Sequence, residues 1–258
     1  MRLKHYSLFL LITLAYNLKA QQNLFRGNNN YIISKTSNNG LGAGNALQFS
    51  SPNRYIDCGT SSSLNITGSM TIELWINPSQ NLGIGQWDRL VHRYYPTGYY
   101  FGGRAGATNA LAVVLNGDLN TAVTPNNTVV PNTWQHVAFT YDVVSKTITI
   151  YRNGLAVSTT IWNGTITGST NNSLTLSAAS EAYNGMMDEV RIWNICRSAA
   201  QILANYNTTV PINSNGLVAY YKFDEGSGAT TSNSISNDSN GSLINSPSWI
   251  VPSTAPIN

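Results

Sequence analysis

Charged residues are scarce in this sequence. They make up 10% of its 258 residues, against roughly 25% in an average soluble domain. Hydrophobic content is ordinary at 42%, so Asn, Ser, Thr and Gly fill the gap. Such neutral polar residues suit strand faces and turns better than helix surfaces, which excludes a long α-helical protein. Long apolar runs are scarce too. The one at Ser7 to Ala15 is short for a bilayer, and no other stretch could span one. No repeat of 20–50 residues is present, which excludes propellers and solenoids.

That single apolar run belongs to an export signal. Arg2, Lys4 and His5 precede it, and Leu18-Lys19-Ala20 follows as a cleavage site. Residues 1–20 are therefore expected to be removed, with the mature chain secreted or placed at the cell surface. Arg2, Lys4 and Lys19 leave with the signal. The 14 basic residues less those three equal the 11 acidic ones. A neutral mature chain has no electrostatic reason to bind nucleic acid or an anionic membrane surface. Two cysteines remain, Cys58 and Cys196, readable in an exported chain either as a disulfide or as two separate buried thiols.

What is present is a succession of short β-type runs. Met70, Ile72, Leu74 and Ile76 alternate with polar or bulky neighbours over residues 70–77, the period-two signature of a strand. Val137, Phe139 and Tyr141 do the same over residues 135–141. Asn153-Gly154 is a hairpin signal, since both central residues of a type I′ turn need positive φ. About ten such strands predict an all-β, two-sheet antiparallel jelly-roll sandwich. One short helix near its C-terminal end is expected, capped by Ser198 with Gln201 three residues on. Ala199, Ile202, Leu203 and Tyr206 would dock its apolar side.

The run Asn45 to Phe49, then Tyr55-Ile56 and Met70 to Ile76, resembles the opening strands of laminin-G-like jelly-roll domains of the concanavalin-A-like superfamily. Trp134 to Ala138 with Ile150 to Gly154 is similar to their central hairpin. Gly185 to Asn194, with Arg197-Ser198, is similar to their closing strand. The tail segment Gly216 to Gly228 resembles one common in exported proteins of Bacteroidetes-like bacteria. The organisation expected is a signal (1–20), a polar segment (21–44), the jelly roll (45–206), and a strand with a polar tail (207–258) completing the sandwich edge. The resemblance implies that first and last strands are neighbours, which would bring Cys58 and Cys196 within bridging distance.

The superfamily includes glycoside hydrolases, which need two carboxylates at defined separation. The four glutamates, Glu73, Glu181, Glu189 and Glu225, do not form the Glu-x-Asp-x-x-Glu pattern of one such family. Asp188 and Glu189 are adjacent, so they are expected to point to opposite faces of a strand and not to cooperate directly. No His-Glu-x-x-His or Gly-x-Ser-x-Gly motif occurs. The expectation is a non-catalytic recognition module, binding a glycan or else an extracellular protein; a hydrolase, or an accessory domain of one, is the third reading. Glu73–Arg191 or Glu189–Arg191 is expected as a semi-buried ion pair on the outer sheet face.

For a glycan the residue types needed are exposed aromatics with polar neighbours. Trp87 in Gln86 to Arg89, Tyr95 in the run Tyr94 to Phe101, Trp162 and Tyr183 are the candidates, although strands favour aromatics for packing alone. The family often binds calcium, the candidate cofactor, through loop oxygens. Asn116 and Asp118 form one candidate set and Asp224, Glu225 and Asp238 another, against the alternatives of an ordinary Asn-Gly turn and a solvated loop.

Overall fold

A computed structural model describes residues 44–50, 52–93, 97–168 and 171–257. Residues 1–20, read from the sequence as an export signal, residues 21–43 and Tyr95 lie outside the described residues.

Two antiparallel sheets of eight strands face each other. The first contains β1 (Ala46–Phe49), β3 (Met70–Pro78), β8 (Gln135–Asp142), β9 (Thr147–Arg152), β10 (Leu155–Ile161), β12 (Gly185–Trp193), β13 (Leu217–Tyr221) and β16 (Ser248–Ile250). Its order is β10-β9-β8-β3-β12-β1-β16, with β13 also on β12. The second contains β2 (Tyr55–Asp57), β4 (Arg89–Arg93), β5 (Tyr99–Gly103), β6 (Leu111–Leu115), β7 (Asp118–Val123), β11 (Thr175–Ser177), β14 (Thr230–Thr231) and β15 (Gly241–Ile244). Its order is β14-β15-β2-β11-β4-β5-β6-β7. The chain from residue 207 onward thus supplies strands to both sheets. Among the described residues no helix is long and apolar enough to cross a membrane.

The core lies between the sheets. From β3 it takes Met70, Ile72, Leu74 and Ile76, all fully buried, as their alternation predicted. Burying each such side chain contributes roughly 1.5–3 kcal/mol. Phe101 and Phe139 meet edge to face across the interior, with ring centroids 5.2 Å apart. The Asn153-Gly154 turn has positive φ at both residues. Gly154 is required twice over, because a Cβ there would lie 2.9 Å from the Tyr206 ring and 3.0 Å from Leu203.

The outer face of the first sheet is also sealed. Thr71, Glu73 and Trp75 alternate with the core residues yet are buried. Helix α1 (Ala199–Asn205), closed by the Ser198–Gln201 capping box, presses Ile202 onto Ala138 and Tyr151. Leu203 remains half exposed. Beside the helix, the C-terminal segment lays Ala255 and Ile257 over Trp75, with Trp134 and Tyr206. Trp75 Nε1 donates to Tyr206 O at 2.9 Å, and Trp134 Nε1 to Thr254 Oγ1 at 3.0 Å.

Two expectations are corrected. The cysteines are free. Cys58 belongs to the core, where burial pushes its thiol up to about 12. Cys196 follows β12 where the chain crosses Thr71 on the outer side, since Thr71 Oγ1 donates to Ile195 O. The strand pairing the start of β12 is β1, through Phe49↔Gly185, whereas Cys58 follows β2 in the opposite sheet. Asp188 and Glu189 do not point to opposite faces either. The β12–β3 register shifts between Asp188 and Arg191, and Glu189 has φ 51°. This bulge turns both acids outward and returns Val190 to the core.

Candidate functional site

The second sheet keeps part of its outer face open. Phe101, Val113 and Leu115 point into the core, so Tyr100 and Val114 must point outward. With Ala112, Val123 and Trp87 they form a small apolar floor. Over it lies a depression of about 230 Å³ lined by Trp87, Arg89, His92, Tyr100, Leu119 and Glu181, among others. Trp87, half buried on the β3–β4 connection, stands at 88° to Tyr100 with centroids 5.4 Å apart. The Arg104 guanidinium lies 4.6 Å from its ring centroid.

The polar wall is an interlocked trio. Arg89 Nε donates to Glu181 Oε2 at 3.1 Å, joined there by Nη2. Arg89 Nη1 donates to His92 Nε2 at 2.9 Å. Burial, then the Arg89 charge, pulls His92 down to about 4, so its ring is neutral and accepts that bond. The Arg89–Glu181 pair is itself neutral, and its side chains remain 20% and 32% exposed. The result is an aromatic floor beside a rigid hydrogen-bonding rim without net charge. That combination suits a ligand with one apolar face and a hydroxyl edge.

Of the aromatics singled out in the sequence, Trp87 alone among those described reaches this depression. Trp162 is 8% exposed and packs in the core against Tyr141, centroids 5.7 Å apart. Tyr183 is fully buried, its OH donating to Met186 O at 3.1 Å. Both face inward, so as binding platforms they are corrected to packing residues. Arg89 and Tyr100 stood in the right stretches of sequence. Glu181 is 92 positions from Arg89, and nothing local marks it.

The calcium sets do not fit calcium. Asp118 Oδ2 accepts from Trp162 Nε1 at 3.0 Å and Oδ1 from Asn120 N at 3.0 Å. Asn116 Oδ1 accepts from Thr167 N at 3.0 Å, and Asn116-Gly117 is a turn with positive φ at both residues. Asp224 Oδ1 faces Asn45 N, while Asp238 Oδ2 accepts from Ser61 Oγ, so the tail acids serve different contacts. Calcium needs six to eight converging oxygens. Among the described residues no three His, Cys, Asp or Glu side chains group to hold a metal.

The carboxylates on the other sheet are sealed away. Glu189 Oε2 accepts from Arg191 Nη2 at 2.7 Å and from Tyr220 OH. Asp188 Oδ2 accepts from Ser253 Oγ at 2.7 Å. Burial, only partly offset by that bond, pushes the Asp188 carboxyl from 3.8 up to about 9. The folded state therefore holds a proton that the unfolded chain has lost. This stabilisation is full below pH 4 and declines as pH rises through about 9. Asp188→Asn, which mimics the protonated acid, is expected to melt higher than wild type at pH 9 and no lower at pH 5. Thermal melts across that range check it, and parallel profiles for the two proteins would refute it.

Residues 49–203 match the family model of the concanavalin A-like lectin/glucanases superfamily, in its laminin-G form. The chain belongs to this superfamily. No curated relative matches it. Several solved concanavalin A-like structures share the fold. A candidate carbohydrate binding protein from Bacteroides ovatus is 22% identical with a TM-score of 0.64, over 83% of this chain and 61% of its own. This chain thus spans about three fifths of that protein's length. The heptameric SAP-like pentraxin of Limulus polyphemus is 11% identical with a TM-score of 0.55, over 84% and 99%. The carbohydrate-binding module (CBM40) of the Ruminococcus gnavus IT-sialidase, solved with α2,3-sialyllactose, is 12% identical with a TM-score of 0.50, over 62% and 96%. At these identities the likeness of the laminin-G-like domain to each is one of fold.

Proposed function

We propose that this laminin-G-like chain is an exported, non-catalytic carbohydrate-recognition module that binds its glycan in the depression on the second sheet. The observation carrying this reading is Trp87, partly exposed and in contact with Tyr100 and Arg104, beside the Arg89–His92–Glu181 rim. An aromatic ring next to fixed donors and acceptors takes the apolar face of a pyranose and hydrogen-bonds its hydroxyls. The carbohydrate-binding relatives of like fold support the same class of ligand. A non-catalytic role is supported by the outward acid pair, Asp188 and Glu189, lying buried under the C-terminal segment and Tyr220.

The test is a broad glycan array followed by calorimetry on the hits, with Trp87→Ala alongside wild type. The variant should fold, since Trp87 is peripheral to the main core, yet bind at least about 30-fold more weakly, on the order of 2 kcal/mol. Binding should be the same in calcium and in chelator, because the candidate carboxylates are already engaged by N–H and O–H donors. A blank array with folded protein would move the reading to an extracellular protein ligand. Unimpaired binding by the variant would place the site elsewhere.

A further inference from the structure

We propose a second subsite, at the loop end of the sandwich, that makes the ligand a neutral oligosaccharide rather than a single sugar. The proposal rests on the carbohydrate reading of the Trp87 depression and extends it. Glu181 lines a second cleft of about 210 Å³, with Gln80, Gln86, Asn53, Ser180 and Asn184 among its other lining residues. The two depressions share Glu181, and Gln86 and Trp87 are consecutive, so a ligand leaving the aromatic floor passes directly over this wall.

The wall is rigid. Arg89 N donates to Glu181 O at 3.0 Å, and Arg89 bridges Ala182 in strand fashion. Gln86 Nε2 donates to Ala182 O at 3.3 Å and to Asp88 Oδ1 at 3.1 Å. Asn184 Nδ2 donates to Gln80 Oε1 at 3.3 Å. Those bonds leave Gln86 Oε1, Asn184 Oδ1 and the Gln80 amide nitrogen to meet a ligand. Side-chain amides offer acceptors and donors at a fixed spacing, which matches vicinal hydroxyls. Among the described residues the only charged group lining this cleft is Glu181, already neutralised by Arg89. An acidic sugar gains nothing there, whereas a neutral hydroxyl-rich unit does.

The experiment is calorimetric titration of wild type, Trp87→Ala and the double variant Gln80→Ala/Asn184→Ala. The titrants are neutral oligosaccharide ladders of one to six units in gluco-, manno-, xylo- and galacto-configurations. Wild-type affinity should rise with length beyond one unit, and the double variant should lose that rise, about 3- to 10-fold on the longer members, while keeping wild-type affinity for the shortest binder. Affinity independent of length, or a double variant indistinguishable from wild type on every member, overturns the second subsite alone. No binding by any ladder, or binding that ignores Trp87→Ala, overturns this subsite together with the Trp87 site that it extends, while a blank glycan array is what overturns the carbohydrate reading itself.

Discussion

Replacing Glu73 by alanine is expected to cost about 3–5 kcal/mol of folding stability, a large share of the roughly 5–15 kcal/mol that holds a typical domain folded. Glu73 has no exposed surface. Its Oε1 accepts from Arg197 Nη1 at 2.7 Å and from Trp193 Nε1 at 2.9 Å, with Arg191 Nη1 4.0 Å away. His136 Nε2 stands 3.4 Å from its other oxygen. Burial alone would push the Glu73 carboxyl up, but His136, Arg191 and Arg197 outweigh it and hold it down near 2. His136 itself is pulled below its ordinary value, burial being the main cause. Two carboxylates, Glu73 and Glu189, thus balance two guanidiniums, Arg191 and Arg197, beside a neutral imidazole.

Alanine at position 73 leaves one buried positive charge without a counterion, which is why the loss exceeds that of any surface pair. Urea unfolding followed by tryptophan fluorescence would measure it. Glu73→Gln, which keeps an acceptor for Trp193 but not the charge, should fall between the two. A loss under 1 kcal/mol in the alanine variant would show the cluster to be dispensable. The same shift sets an acid limit. A carboxyl lowered from 4.5 to about 2 stabilises the fold fully above pH 4.5 and loses that contribution as pH falls toward 2.

Phe139→Ala should cost a comparable amount, about 3–5 kcal/mol, for a different reason. Phe139 is fully buried and meets Phe101 from the opposing sheet at 5.2 Å. Its β3 partner Ile72 and its β9 partner Ile150 are core residues fixed by their own ladders, so the cavity cannot collapse. Chemical denaturation would show the midpoint fall with little change in slope. Phe139→Leu, which refills most of the volume, should recover over half the loss. Equal losses in the two variants would mean that ring geometry rather than filled volume matters there.

The strands were legible because their signal is local. Met70, Ile72, Leu74 and Ile76 alternate within a single strand, and Asn153-Gly154 carries its positive φ in its own chemistry. The ion pair around Arg191 was legible from the same alternation, which put Glu73 and Trp75 on one outward face and Arg191 and Trp193 on another, but it was expected semi-buried and is fully buried. What defeated alternation was the bulge at Glu189, one extra residue that no pattern of apolar residues announces.

The site was half legible. Trp87 and Arg89 share a turn-rich stretch, but Glu181 completes the rim from 92 positions away. Trp162 and Asp118, read as parts of two different sites, hold each other instead. Composition cannot distinguish an aromatic that packs from one that binds, because both need the same ring.

The sequence by itself determined the all-β class, the family and the alternation that builds the core, since each is written in neighbouring residues. Tertiary structure alone decided that Cys58 and Cys196 stay apart and that the outer face of the first sheet is sealed by the helix and C-terminal segment. It also decided that Trp87, His92 and Glu181 share one depression. Those outcomes depend on which strands pair and which face a distant segment covers, and strand pairing joins residues whose separation along the chain carries no local mark.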